Sequence, residues 1–585
     1  MSQTSKIMTI IDSFANRMVR DGHGLIIDGV KVFEVNDPFL SGKIALGLSY
    51  WVTADLFNPI ETKKRCQHFN TIMQGLKDHE VDSWGIHFYL KALKVLDDAG
   101  VIGDCFESKE FVHLKRKLDW RKFVDETSYE LQGKANNFYG IAYSIAYTRY
   151  QLGWDSQRHS RRILARELEH YEVSSGGLGF ADDTNGRGKY DRYSFLLIAE
   201  IANRFHEAGR PIKTKMKKWL KLSVDYVLYN VNESGDGFQW GRSIGAYGDS
   251  AFMEILTAAY NHNVLTSHET EVACYFVKKV TDKFLQFWYQ EDRGSVNLWS
   301  DGRATDGYRG KNRILGENLS LLHQHLYCQR VWEKHERYNQ DVELDKSYKK
   351  WVSDLNRISL TNFSKGICNY AVINYRSLEK RYSIPLVNGD RYYNQMVYQP
   401  VPFSKEWIRP IPEFRTPLCR PIAQNNEGTR YIPYPCFSNV RIQERKSYSE
   451  IGFKAAGFTE LRSTLPYKSL GGYCKTTHRF SNDSYSVVER VKFGKHSRIE
   501  KIDYLFPVGV EVTCLDCDRV RFLTFEGSVK ELEFSVDDNV EVILGDIEQA
   551  KSTVENGTPL YRKYTVILNS LSVINARWNI RDVDN

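Results

Sequence analysis

A chain of 585 residues with 42% hydrophobic and 26% charged residues and only 15 prolines is globular, too long for one small core, and not disordered over most of its length. The net charge of +7 is modest, and no lysine–arginine block is long enough for a nucleic-acid arm; the balance suits an acidic polymer or no charged partner at all. Aromatic residues reach 13%, with 35 tyrosines and 12 tryptophans, whose apolar rings and polar tips fit sugar faces as well as large β domains.

The N-terminus places Ile7, Ile10, Ile11, Phe14 and Met18 at helical spacing, without the unbroken apolar core of a signal peptide. No run of ~18 apolar residues appears, so neither a membrane nor an export signal is expected. The chain is cytoplasmic on that reading, or secreted or periplasmic if a leader has been removed. From there to residue 357 apolar residues recur every three or four positions, near 4–20, 44–57, 62–76, 84–98, 109–124, 138–152, 157–171, 190–208, 212–230, 247–262, 267–290, 313–331 and 340–357. Short Gly/Asp/Asn loops separate them, so the segments pair into helical hairpins. A ring or arc of stacked hairpins is the economical way to bury so many amphipathic faces. No strict repeat marks a regular array.

After Leu360 the texture changes to β-branched and aromatic clusters between turns, such as YSVVERVKFG and RKYTVILNSLSVINARW. The expected architecture is α+β and multidomain: an (α/α) toroid or incomplete barrel over 1–357, then an antiparallel β-sandwich over 358–585. A stretch rich in Tyr, Arg, Pro and Asn, roughly 386–440, reads as a long insertion packed on the neighbouring domain. The ten cysteines are scattered, and Cys514 and Cys517 form a CxxC without a second pair, so buried free thiols are expected rather than zinc. His323 and His325 stand two apart on a helix and share no face, so no metal and no cofactor are expected.

Three segments put polar, reactive groups at helix starts. KANNFYGIAYSIAYTRY (134–150) opens with Asn136 and Asn137 and carries tyrosine at 139, 143, 147 and 150. GGLGFADDTNGRGKYDRYSFLLIAEI (176–201) leads a Gly/Asp loop into Tyr190, Asp191, Arg192 and Tyr193. GDGFQWGRSIGAYGDSAFMEI (235–255) sets Trp240, Arg242 and Tyr247 before another helix. In a ring of hairpins alternate helix starts gather at one end, so these loops are expected to meet at one cleft. Asn, Tyr and Arg suffice for β-elimination beside a uronate without a metal. An amide or guanidinium spreads the carboxylate charge, a phenolate or imidazole takes the proton, and a phenol returns one to the leaving oxygen.

The order Asn-Asn-aromatic, Gly/Asp loop ending in Tyr, then Arg resembles the (α/α)-toroid polysaccharide lyases with a C-terminal β-sandwich: chondroitin AC, hyaluronate and xanthan lyases, and more loosely heparinase-type lyases. The DRYSFLL and WGRS pieces are also similar to lyases that remove terminal rhamnose from glucuronate. The resemblance implies a lyase acting on an acidic poly- or oligosaccharide. It makes Asn137 (or Asn136) the neutraliser of the uronate, Tyr190 or Tyr193 the catalytic phenol, and Arg242 the helper. The chain departs from the pattern in lacking a His in the catalytic loop. His159 and His170 fall inside a helix, and His87 in VDSWGIHFYLKAL, near Trp84, is the remaining candidate base. Asn136, Tyr139, Trp84, Arg192, Trp240, Tyr247, Arg391, Tyr392 and Tyr393 are the expected sugar contacts.

Each of these has a plainer role available. Asn136 or Asn137 makes a good N-cap, the tyrosine stripe packs helices, and Arg242 pairs with Asp236 or Asp249. Two rival functions stand beside the lyase: a glycoside hydrolase on the same scaffold, using two of Asp82, Asp182, Asp183, Asp191, Glu233, Asp236 and Asp249, and a non-catalytic carbohydrate-binding protein.

Overall fold

The computed structural model describes residues 2–134, 138–175, 177–182, 188–241, 243–300, 303, 309–364, 369–377, 381–387, 419–434, 437–461, 469–481, 484–524, 527–538, 540–549, 560–569 and 571–583. The helical half contains fourteen α-helices among the described residues. Six of them, Leu40–Val52, Ser83–Asp98, Phe138–Gln151, Arg192–Glu207, Ala246–Asn261 and Ile314–Trp332, touch one another in chain order, and the last packs on the first. They form the inner wall of a closed ring. The helices between them in sequence return on the outside, as Pro59–Gly75 does against Leu40–Val52 and Gln157–Ser174 against Phe138–Gln151.

The two layers differ as their sequences dictate. An outer helix such as Pro59–Gly75 buries one stripe, Thr62, Cys66, Phe69, Ile72 and Met73. The inner helix Leu40–Val52 buries every residue except Tyr50, because it is covered from both sides. Gly42 is needed there. A Cβ at that position would lie 2.1 Å from the Gly85 carbonyl oxygen on Ser83–Asp98.

Two expected helices are shorter than their periodicity. The segment near 109–124 stops at Lys117 and continues as the 3₁₀ turn Trp120–Lys122, which Asp119 caps through the Arg121 N–H at 3.0 Å. The segment near 267–290 leaves α geometry at Lys283. It widens into a π turn over Phe284–Trp288 and then pairs Tyr289–Gln290 with Ser295–Val296, since EDRG supplies a turn between them.

Helices end at Asp354 and strands begin at Ile358. An antiparallel three-stranded sheet, Ile358–Ser364, Tyr370–Arg376 and Arg381–Leu386, lies between the ring and the rest of the chain. Its central strand is buried at every position. Phe363, Tyr370 and Val372 join the core of the helical ring, whereas Ala371, Ile373 and Tyr375 join the core of the sheets beyond. Those sheets, eight-stranded and six-stranded, pack face to face, with Phe506 against Trp578 at 5.2 Å and Phe534 against Tyr564 at 4.6 Å between ring centroids. The α+β architecture of toroid and antiparallel sandwich is therefore the one expected from the sequence.

The stretch 386–440 is not one long loop. It contains the strands Ile422–Asn425 and Arg430–Pro433, joined by a turn in which Asn425 Oδ1 accepts from the Glu427 and Thr429 N–H groups. Arg391, Tyr392 and Tyr393 lie outside the described residues.

Candidate active site

A parallel inner ring puts the N-termini of its six helices at one mouth. A cleft of about 290 Å³ opens there and runs down the ring, and every inner helix lines it. Trp84, His87, Arg192, Tyr193 and Tyr247, which the sequence reading took from three separate segments, all line this cleft. Phe39, Phe88 and Phe138 add aromatic walls.

Asp191 sets the position of the central pair. Its side chain accepts from the Tyr193 N–H at 2.8 Å, and its own N–H donates to Ser194 Oγ at 3.2 Å, a reciprocal cap that starts the helix at Arg192. Gly241, at φ +86°, packs so closely that a Cβ would lie 2.9 Å from that of Asp191. Arg192 is 4% exposed; its Nη1 donates to the Tyr247 carbonyl at 2.7 Å, tying two inner helix starts together. Its guanidinium lies 4.5 Å from the centroid of the half-buried Tyr193 ring.

Behind Tyr247 sits a buried charged hub that the sequence reading did not find. Glu317, wholly buried, pairs with Lys43 Nζ at 2.8 Å and Arg309 Nη1 at 3.0 Å, and accepts a hydrogen bond from the Tyr247 phenol. Arg313 bonds Asp37 at 3.1 Å. Burial alone would raise the Glu317 carboxyl, but Lys43, Arg309 and their hydrogen bonds outweigh it and hold the carboxyl well below the ordinary range. Burial, and then the Glu317 charge, keep Tyr247 protonated far above the usual phenol range. Tyr247 is thus a fixed phenol under the Arg309 guanidinium, 3.9 Å from its ring centroid.

Deeper in the cleft, Glu207 bonds Arg204 at 3.0 Å and Lys91 at 2.9 Å. Arg204 also lies 3.3 Å from His87 Nε2. Burial, followed by the charges of Arg204 and Lys91, pushes His87 well below its usual value, so its imidazole is neutral with Nε2 engaged as acceptor. Half-buried Glu200 is raised to about 7, first by burial and next by Glu254.

Three expected site residues sit elsewhere. Tyr190, 4% exposed, stacks on Phe363 at 4.7 Å and meets Tyr370 at 5.9 Å, so its phenol is under the three-stranded sheet. Trp240 is fully buried and donates from Nε1 to the Tyr226 hydroxyl at 2.9 Å. Tyr139 faces His170 at 5.1 Å toward the outer layer, and its neighbour Phe138 lines the cleft instead. Asn136, Asn137 and Arg242 lie outside the described residues. Of the carboxylates weighed for hydrolysis, Asp236 and Asp249 are bonded to the half-buried Lys283, Asp191 is the helix cap, and Asp183 lies outside the described residues; Glu200, Glu207 and Glu254 are the acidic residues on the cleft wall. Among the described residues no cluster of metal-ligating side chains occurs, and no helix is long and apolar enough to cross a membrane.

No protein-family model matches the chain, and no curated protein matches it either. Among solved structures it is similar to heparinase III, with 10% identity over 98% of this chain and 85% of that one and a TM-score of 0.52. It is also similar to the chondroitin AC lyase of Streptomyces coelicolor A3 in complex with chondroitin sulphate, with 8% identity over 100% and 79% and a TM-score of 0.48. The chain has the toroid-and-sheet fold of heparinase III.

Proposed function

We propose that this chain is a polysaccharide lyase that cleaves a uronic-acid-containing glycan by β-elimination in the cleft of the helical ring. The observation that carries the reading is the Tyr193 phenol beside the Arg192 guanidinium, at a mouth shared by six helix starts. The fold likeness to heparinase III supports it. In this mechanism the Tyr193 phenolate takes the proton from C5 of the uronate. The electron pair forms the C4=C5 double bond as the C4–O bond breaks, and the phenol so formed protonates the departing oxygen. Tyrosine serves as both base and acid because the His87 Nε2 lone pair is committed to Arg204. Arg192 stands beside the charge that the phenol acquires in turnover. The mouth carries Lys43, Arg192, Arg309 and Arg313 against Glu317 and Asp37 among the described residues, a setting that favours an acidic sugar. Asn137 with Asn136 is the proposed carboxylate neutraliser and Arg242 the proposed helper, on sequence grounds.

One observation favours a second reading. Glu200, raised to about 7 beside Glu254, has the character of a general acid, as a glycoside hydrolase needs. Incubation with a panel of uronic-acid glycans, rhamnose-capped glucuronate included, separates the two. A lyase yields a 4,5-unsaturated uronate that absorbs in the ultraviolet and is lost in Tyr193→Phe. New reducing ends without that absorbance, lost in Glu200→Gln, would replace elimination by hydrolysis.

A further inference from the structure

Positive charge collects on the outer face of the eight-stranded sheet. Four of its strands, Ser449–Ala455, Gly472–Phe480, Ser484–Phe493 and Val573–Asp582, are neighbours in that order, and their residues alternate between core and solvent. Register sets Lys454 opposite Lys475, and Lys475 opposite Arg490. Strands lie ~4.8 Å apart, so these three cations stand abreast within ~10 Å. Lys492, two residues past Arg490, and Arg577, opposite Val488, complete a block of five on the same face. Lys454 is half-buried and the other four are exposed, and none of the five has a carboxylate partner among the described residues. At the margins of the block acids do appear: Glu450 pairs with Arg479 at 2.9 Å, and Glu531 pairs with Arg521 and Arg581. Like charges directly opposite one another weaken a sheet, so a block of cations kept free of acids points to an anionic partner.

The class of that partner follows from what lies between the cations. A lipid surface takes up apolar side chains, yet Val488, 42% exposed, is the one exposed large apolar residue among those described on these four strands. Single-stranded nucleic acid stacks its bases on free aromatic rings, and the Tyr473 ring on this face is already covered by Lys454 Nζ, 4.6 Å from its centroid. What remains is a flat array of spaced cations with the Thr477 hydroxyl among them, opposite Val488. An extended polymer that alternates carboxylates or sulfates with hydroxyls matches it.

We propose that this face of the sandwich, built on Lys454, Lys475, Arg490, Lys492 and Arg577, binds a linear acidic polysaccharide at a surface separate from the cleft. The proposal rests on the acidic-glycan reading above and adds that the chain holds its substrate as a polymer, with the sandwich as anchor and the ring as the place of cleavage.

Fluorescence anisotropy of end-labelled chondroitin sulfate, polygalacturonate and dextran tests this on the full chain carrying Tyr193→Phe, which removes the proposed catalytic phenol. At least one acidic polymer is expected to bind at least tenfold more tightly than dextran. Its affinity is expected to fall about tenfold or more between about 50 and 200 mM salt, because binding releases counterions from the polymer. Lys475→Gln combined with Arg490→Gln is expected to weaken binding at least fivefold. Where that pair fails to fold by circular dichroism, Lys492→Gln combined with Arg577→Gln carries the same expectation. The proposal is overturned if neither acidic polymer outbinds dextran, or if the folded variants bind like the parent. It is equally overturned if single-stranded DNA or phosphatidylserine vesicles bind as tightly as the better polysaccharide. Binding that depends on these cations, with no unsaturated product from the unmodified chain, would instead sink the lyase reading and leave the surface standing.

Discussion

Glu317→Gln is the sharpest test of how the mouth of the cleft is held together. The substitution keeps the shape of the side chain but removes the charge that Lys43 and Arg309 share, both within 3.0 Å of a wholly buried carboxylate. Lys43 is itself only 5% exposed, so its ammonium is left in the interior with no equivalent partner. Removing one member of a buried pair costs about 3–5 kcal/mol, and the retained amide recovers a neutral hydrogen bond, so ~3 kcal/mol is expected. At ~2 °C per kcal/mol for a domain of this size, the melting temperature falls by ~6 °C. Urea titration should show a lower midpoint with an unchanged slope. The pH dependence provides a second reading. The Glu317 carboxyl is held below its unfolded value, so its contribution is complete above the unfolded carboxylate range and disappears only as pH falls through the depressed value. The difference between parent and variant should therefore be flat from pH 8 to 5. A loss under ~1 kcal/mol, or a difference that collapses near neutrality, would refute the hub as the anchor of Tyr247 and Arg309.

Further outcomes follow from other parts of the molecule. Tyr193→Phe should lower kcat for the unsaturated product at least ~10²-fold, while Tyr190→Phe, altered under the sheet, keeps its rate; equal losses would put the phenol assignment in error. Glu200 is raised from 4.5 to about 7, so its stabilising effect is present below 4.5 and is lost as pH rises to 7. Glu200→Gln should flatten that slope and gain ~1 kcal/mol at pH 8 after allowance for partial exposure, as read by urea midpoints across the window. Gly188→Ala would put a Cβ 2.1 Å from the Tyr370 ring at φ +78° and should cost ~2 kcal/mol by the same assay.

Much of the architecture was legible because its physics is local. Ile7, Ile11, Phe14 and Met18 announce an outer helix by period alone, and the change of texture after Leu360 announces sheets. Tyr193 and Arg192 stood out because an apolar helix begins with them. Tyr190 was indistinguishable from Tyr193 in sequence, and only the cap at Asp191 decides which phenol turns to the cleft. Glu317, Arg309 and Lys43 were missed because their meeting depends on ring closure between the first inner helix and the last. A signal did exist: a lone lysine in LSGKIALGLSYWV, and Glu200, Asn203, Arg204 and Glu207 along one face of an otherwise apolar helix. Charges on a helix that has no solvent side mark a lumen.

The three-stranded sheet between ring and sandwich makes the two halves mechanically one object. A strand buried on both faces cannot slide past either neighbour without exposing aromatic rings, and Arg376 at its end and Arg381 at the start of the next strand pin the sheet further to the Tyr229 and Asn230 carbonyls. A domain swing about this weld is therefore expensive. Excising the three-stranded sheet would strip the seat from Tyr190 and, with it, loosen the segment that delivers Tyr193 to its place.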